Sequence, residues 1–187
     1  MHRSKVFSLC LVGVLTTILL ACNDKSACVY AVYQHTPIEG WDRNDTLTFS
    51  YVPNETYSPF ASQPSLTLTE EIGLRINGSY PFSTLYLIVE QEVRPSATQL
   101  TDTLTCRLTD KKGVFIGKGI GCYQYLFPLR RLPLHTGDTL NIHIRHLMKR
   151  EILPGVTDIG VSLFANEVTP GIDTQEDKQQ EGEAPER

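Results

Sequence analysis

The sequence predicts an all-β fold: a single antiparallel β-sandwich, with a jelly-roll as one arrangement of it, between a cleaved signal peptide and a disordered acidic C-terminal tail. Three observations carry this expectation. The 187 residues include 13 Gly and 11 Pro but only 2 Met, a turn-rich composition that suits strands better than a helical bundle. Short runs of alternating apolar and polar residues, bounded by Gly, Pro, Asn and Asp, recur through residues 22–166. No window of a dozen residues holds apolar side chains at helical spacing, and residues 146–152 allow at most a turn or two.

The chain opens Met1-His2-Arg3-Ser4-Lys5 and continues with an apolar run over residues 6–20. A basic start, a short apolar stretch and a small residue form an export signal, here residues 1–21. At about 15 residues the run is short of the roughly 20 needed to cross a hydrocarbon core, and nothing later approaches that length. The junction Leu19-Leu20-Ala21-Cys22 resembles the bacterial lipobox, which implies that Cys22 becomes the first residue after cleavage and carries lipid. Each buried CH₂ contributes about 0.8 kcal/mol, so several acyl chains hold a protein stably to a membrane. Asn23 rather than Asp follows Cys22, which does not match the inner-membrane retention signal and implies outer-membrane residence; the expected orientation faces the periplasm.

Strands are expected over residues 28–33, 46–52, 65–68, 74–76, 85–92, 103–108, 114–116, 139–147 and 158–164. In 139–145 the period of two places Leu140, Ile142 and Ile144 on one face, with His143 and Arg145 on the other. Asp110-Lys111-Lys112-Gly113 reads as a hairpin turn, with Gly113 free to take positive φ. Gly117-Lys118-Gly119-Ile120-Gly121 precedes no helical pattern and reads as a bend or bulge rather than a phosphate cradle. Seven to nine such strands over about 140 residues suit an antiparallel sandwich.

Residues 167–187 hold seven acidic side chains against Lys178 and Arg187, with few apolar residues to offset the entropy of ordering. The tail therefore carries −5 of the protein's net −4, and residues 22–166 are close to neutral at −1. A near-neutral domain excludes a broad phosphate-binding surface, so no nucleic-acid partner is expected.

The sequence offers little catalytic chemistry. His35, His135, His143 and His146 do not form a spaced ligand set, and His143 and His146 fall on opposite faces of one strand, so no metal or other cofactor is expected. No nucleophile elbow, P-loop or metalloprotease helix occurs. Glu90 and Glu92 share a strand face opposite Val89 and Val93, which reads as a solvated face. Removal of Cys10 with the signal and lipidation of Cys22 leave Cys28, Cys106 and Cys122 in an oxidising compartment. A Cys106–Cys122 disulfide across adjacent strands is one arrangement; three buried free thiols are the other.

Asp-Thr-Leu occurs at 45–47, 102–104 and 138–140. A turn Asp leading into a strand explains each triplet. The triplet also resembles the O-glycosylation sequence of Bacteroidota, which implies modification at Thr46, Thr103 and Thr139 where these are accessible.

Several short stretches together resemble one lipoprotein family. They are Trp41-Asp42, Leu74-Arg75-Ile76-Asn77, Tyr80-Pro81-Phe82-Ser83-Thr84-Leu85-Tyr86-Leu87, Asp102-Thr103-Leu104, Leu108-Thr109-Asp110 and Gly113-Val114-Phe115-Ile116-Gly117-Lys118-Gly119. Met148-Lys149-Arg150 and Leu153-Pro154-Gly155-Val156-Thr157-Asp158-Ile159-Gly160-Val161 complete the set. In this order, behind a lipobox, they are similar to the gliding motility-associated lipoprotein GldH family of Bacteroidota; Phe115 stands where that pattern has Trp, and Lys149 interrupts its Met-Arg. The resemblance implies a non-enzymatic accessory or structural component, related to the machinery of gliding and type IX secretion. Its expected partners are the membrane, through Cys22, and other envelope and gliding-machinery proteins, with no small-molecule ligand. The alternative is a carbohydrate-binding surface lipoprotein using Trp41, Tyr80 and Tyr86 as aromatic platforms. An enzyme is a third reading, and it would need a cluster of titratable residues facing the interior.

Overall fold

The computed structural model describes residues 26–53, 65–135 and 137–166. The signal segment, Cys22 and the acidic tail lie outside the described residues. The strands are β1 (Ser26–His35), β2 (Trp41–Asp42), β3 (Leu47–Tyr51), β4 (Ser65–Asn77), β5 (Thr84–Arg94), β6 (Thr98–Arg107), β7 (Cys122–His135), β8 (Thr139–His146), β9 (Ile152–Leu153) and β10 (Val156–Asn166). Two four-stranded sheets, ordered β1-β10-β4-β7 and β3-β8-β5-β6, face each other, and β2 and β9 make a small ribbon at one end. All pairings are antiparallel.

Among the eight long strands the chain changes sheet at every step except the β5–β6 hairpin. This interleaving is the double-sheet jelly roll. Alternation supplies the core. Leu68, Ile72, Leu74 and Ile76 of β4 meet Leu85, Leu87 and Val89 of β5 and Leu140, Ile142 and Ile144 of β8, all at 1% exposure or less. Ile159, Val161 and Leu163 of β10 add a further row. Fully burying each such side chain contributes roughly 1.5–3 kcal/mol.

Three expectations change. Residues 65–68 and 74–76 are parts of one 13-residue strand, which runs unbroken through Thr69, Glu70 and Glu71. Residues 114–116 form no strand; they are held by a Thr109–Phe115 bridge, a bond from the Ile116 N–H to Leu108 O at 3.0 Å and the Phe115 ring against Tyr123 of β7. The whole of β7 is unannounced, because Pro128 and Pro133 interrupt the pattern that marks a strand. Strand β7 is an edge strand, the place in a sheet where proline is tolerated.

The turn at 110–113 forms as expected. Asp110 Oδ1 accepts from the N–H groups of Lys112 at 2.8 Å and Val114 at 2.9 Å, and Gly113 takes φ 82°. The glycine-rich stretch bends back through paired backbone bonds between Lys118 and Gln124, at 2.9 and 2.8 Å, and feeds β7.

Candidate functional site

The inner face of β4 reads Leu66, Leu68, Glu70, Ile72, Leu74, Ile76, which sets a carboxylate between the sheets. Glu70 is 1% exposed and accepts a hydrogen bond from Gln91 Nε2, itself inward-facing on β5 between Val89 and Val93. At the open edge, where β6 and β7 lie over one another, Arg130 Nη2 donates to Asp102 Oδ1 at 2.5 Å. Arg130 reaches inward because β7 carries a bulge: Thr69 pairs with Arg131 and Glu71 with Pro128, so Glu70 faces two residues. The cluster leaves Glu70 Oε1, Gln91 Oε1, Asp102 Oδ2 and Arg130 Nε without protein partners.

Burial pushes the Glu70 carboxyl up to about 7, and Asp102 adds to the rise, while Arg130 and the Gln91 bond oppose it. Burial dominates because an ionised carboxylate between apolar layers loses its hydration. A neutral carboxyl also carries the O–H donor that Gln91 Oε1 lacks. This is an inward-facing titratable cluster of the kind an enzyme would need. It presents one carboxyl held near neutrality, Glu70, buried between the sheets beside an Arg130–Asp102 pair that is about one quarter exposed at the edge.

On the outer face of the same stretch of sheet lies an open groove of about 380 Å³, lined by Glu90, Glu92, Gln99, Thr101 and His143, with Gln91 and Leu100 between them. Register builds it: Glu90 stands opposite Thr101 on β6 and His143 on β8, and Glu92 opposite Gln99 and Asn141. Arg94 Nε donates to Glu92 Oε1 at 2.9 Å, Arg145 lies 3.9 Å from Glu90, and Thr48 Oγ1 lies 3.0 Å from His143 Nδ1. Among the described residues, no group of three or more His, Cys, Asp or Glu is placed to hold a metal ion.

The aromatic candidates separate. Trp41 is completely buried beside the ribbon, its Nε1 donating to Asp45 O at 3.0 Å and its ring 5.1 Å edge-on from His146. His146, inward like Leu140, Ile142 and Ile144, is shifted toward its neutral form chiefly by burial, and its Nε2 lies 3.1 Å from Trp41 O. Tyr80 is also buried, donating to Thr84 O at 3.0 Å. Neither ring can serve as the surface platform the carbohydrate alternative assigned to it. Tyr86 is 43% exposed on the outer face of β5, in line with Ile88, Glu90 and Glu92.

Of the two arrangements left open for the cysteines, the Cys106–Cys122 bridge is not formed. Both are free thiols: Cys106 is fully buried on β6, and Cys122 is exposed at the start of β7 in the opposite sheet. Cys28 is an exposed free thiol on β1, so only Cys106 behaves as the buried hydrophobe of the other arrangement. Burial pushes the Cys106 thiol up to about 12, which keeps it protonated and unreactive. Thr46 and Thr103 are exposed, whereas Thr139 is half-buried. Each triplet's Asp has a local task. Asp45 O receives Trp41, Asp102 receives Arg130, and Asp138 Oδ2 accepts from the His135 N–H at 2.8 Å.

Sequence reasoning missed Glu70, Gln91 and Arg130. The first two were marked by phase, as polar residues at inward positions of an apolar alternation. Arg130 was not, since the bulge shifts the phase of β7.

Among the described residues, no helix is long and apolar enough to cross a membrane. A family model described as GldH lipoprotein matches residues 28–163, from β1 into β10. A protein named gliding motility lipoprotein GldH, from Flavobacterium johnsoniae, is 26% identical over 157 residues, covering 78% of this chain and 89% of that one. Among solved structures, a CocE/NonD family hydrolase from Staphylococcus aureus aligns with TM-score 0.36 and 11% identity, covering 75% of this chain. The chain spans only 33% of that hydrolase. Dimeric latent PorU from Porphyromonas gingivalis aligns with TM-score 0.31 and 11% identity, over 78% of this chain and 14% of that one. Scores this low carry no functional argument.

Proposed function

The chain belongs to the GldH lipoprotein family, and from that premise we propose that it is a lipid-anchored, non-enzymatic component of the cell envelope serving gliding motility and type IX secretion. Cys22 carries the lipid, and the sandwich faces the periplasm from the outer membrane. The observation that carries this reading is the span of the family match, which covers the sandwich from Cys28 to Leu163 and begins just behind Cys22 and the export signal of residues 1–21 that precedes it. Three residues, 23–25, separate Cys22 from Ser26, where β1 starts, so the four steps of chain between them span at most about 14 Å. A non-enzymatic role is supported by the interior cluster, whose one near-neutral carboxylate is sealed between the sheets.

Deletion of the gene in its own organism, with complementation, tests the proposal. Export of type IX cargo, and surface spreading where the organism glides, should fall on deletion and return with the wild-type gene. A deletion strain that exports and spreads like its parent would overturn it.

A further inference from the structure

The groove on the outer face of the β3-β8-β5-β6 sheet is built from hydrogen-bonding side chains on strands rather than on loops, so its polar atoms are held in place before any ligand arrives. Its carboxylates are not bare charges. Glu92 is engaged by Arg94, and Arg145 stands 3.9 Å from Glu90. A cation would therefore find one carboxylate occupied and a guanidinium beside the other. An anion would meet two carboxylates. An apolar ligand would strand polar groups without partners.

A ligand rich in hydroxyls fits all of these constraints. Oriented carboxylates accept from O–H groups in short, charge-assisted bonds, and Gln99, Thr101 and His143 supply further donors and acceptors. The same face offers a stacking surface. Tyr86 projects outward four positions before Glu90, about 13 Å along the strand, with Ile88 between them. A volume of about 380 Å³ falls at the small end of ligand sites, enough for part of a chain whose remainder continues toward Tyr86.

We propose that this face binds an uncharged oligosaccharide laid along β5, with one sugar hydrogen-bonded between Glu90, Glu92 and His143 and another stacked on Tyr86. Of the three aromatic platforms expected from the sequence the site keeps only Tyr86, the other two being buried, and it does not depend on the envelope role.

The full mature chain, made unlipidated as the Cys22→Ser variant, is titrated with chitotetraose and with cellotetraose by calorimetry and by amide chemical shifts. Tyr86→Ala and Glu90→Gln are compared with Val114→Ser, a change on a remote loop, and thermal unfolding confirms that each variant folds. At least one tetrasaccharide should bind saturably, shifting amides of β5 and β6, with affinity reduced roughly tenfold or more in Tyr86→Ala and Glu90→Gln and unchanged in Val114→Ser. No saturable binding of either sugar up to about 10 mM would overturn the proposal, as would equal affinity in all three variants. Saturation of the same amides by oligolysine but by neither sugar would also overturn it, by making the groove a site for basic peptide.

Discussion

At the scale of single residues, Glu70 is the least expected feature of the core, and its position sets a pH dependence of definite sign. In the folded chain its proton is held to about 7, whereas the unfolded chain releases it near the ordinary 4.5. Between those values the folded state binds more protons, so stability is greatest at the acid end of the window and falls as pH rises. The loss amounts to about 3 kcal/mol across the window, and it levels off above about 7. Urea denaturation at a series of pH values should show this decline in the wild type and a much flatter profile in Glu70→Gln. Parallel profiles would mean that the buried carboxylate is not the titrating group. The position of Glu70 was written in the sequence, since Leu66, Leu68, Ile72, Leu74 and Ile76 keep one phase around it. A charged side chain at an inward position imitates the end of a strand, and for that reason β4 read as two pieces. Gln91 was marked in the same way, inside an otherwise apolar row.

At the scale of elements, legibility followed regular alternation. Strands β5, β8 and β10 were evident because one face is apolar and the other polar. Strand β7 was not, since two prolines and a bulge each erase the period of two; it lies at a sheet edge, where proline is tolerated. The β2–β9 ribbon was equally hidden: two-residue strands carry no periodicity, and Trp41-Asp42 stood out only through its likeness to a family pattern. The ribbon nonetheless matters to the end of the sandwich it closes. Trp41 has no exposed surface, and its indole meets His146 and the Asp45 carbonyl. Trp41→Ala should cost about 3–5 kcal/mol through the cavity it leaves, measured by urea denaturation. Because Trp41 is the sole tryptophan, the wild-type protein should show blue-shifted emission that moves red on unfolding. A solvent-like emission maximum in the native state would contradict the buried placement.

At the scale of the whole molecule, the pairings of Ser26 with Asn166 and of Asn166 with Thr67 put the start of β1 and the end of β10 at one end of their sheet. Ser26 and Asn166 therefore lie side by side at that end. Strand β4 runs away from that end for 13 residues, about 40 Å, to the end that carries the Trp41 ribbon and the 109–121 loop. Lipid on Cys22 would thus hold one end of the sandwich close to the membrane and present the other outward. Palmitate labelling and membrane fractionation of wild-type and Cys22→Ser protein in the native host test this account most directly. Wild-type protein should be labelled and membrane-bound, and the variant unlabelled and soluble while retaining the folded sandwich. Equal labelling and equal membrane recovery of the two proteins would contradict it.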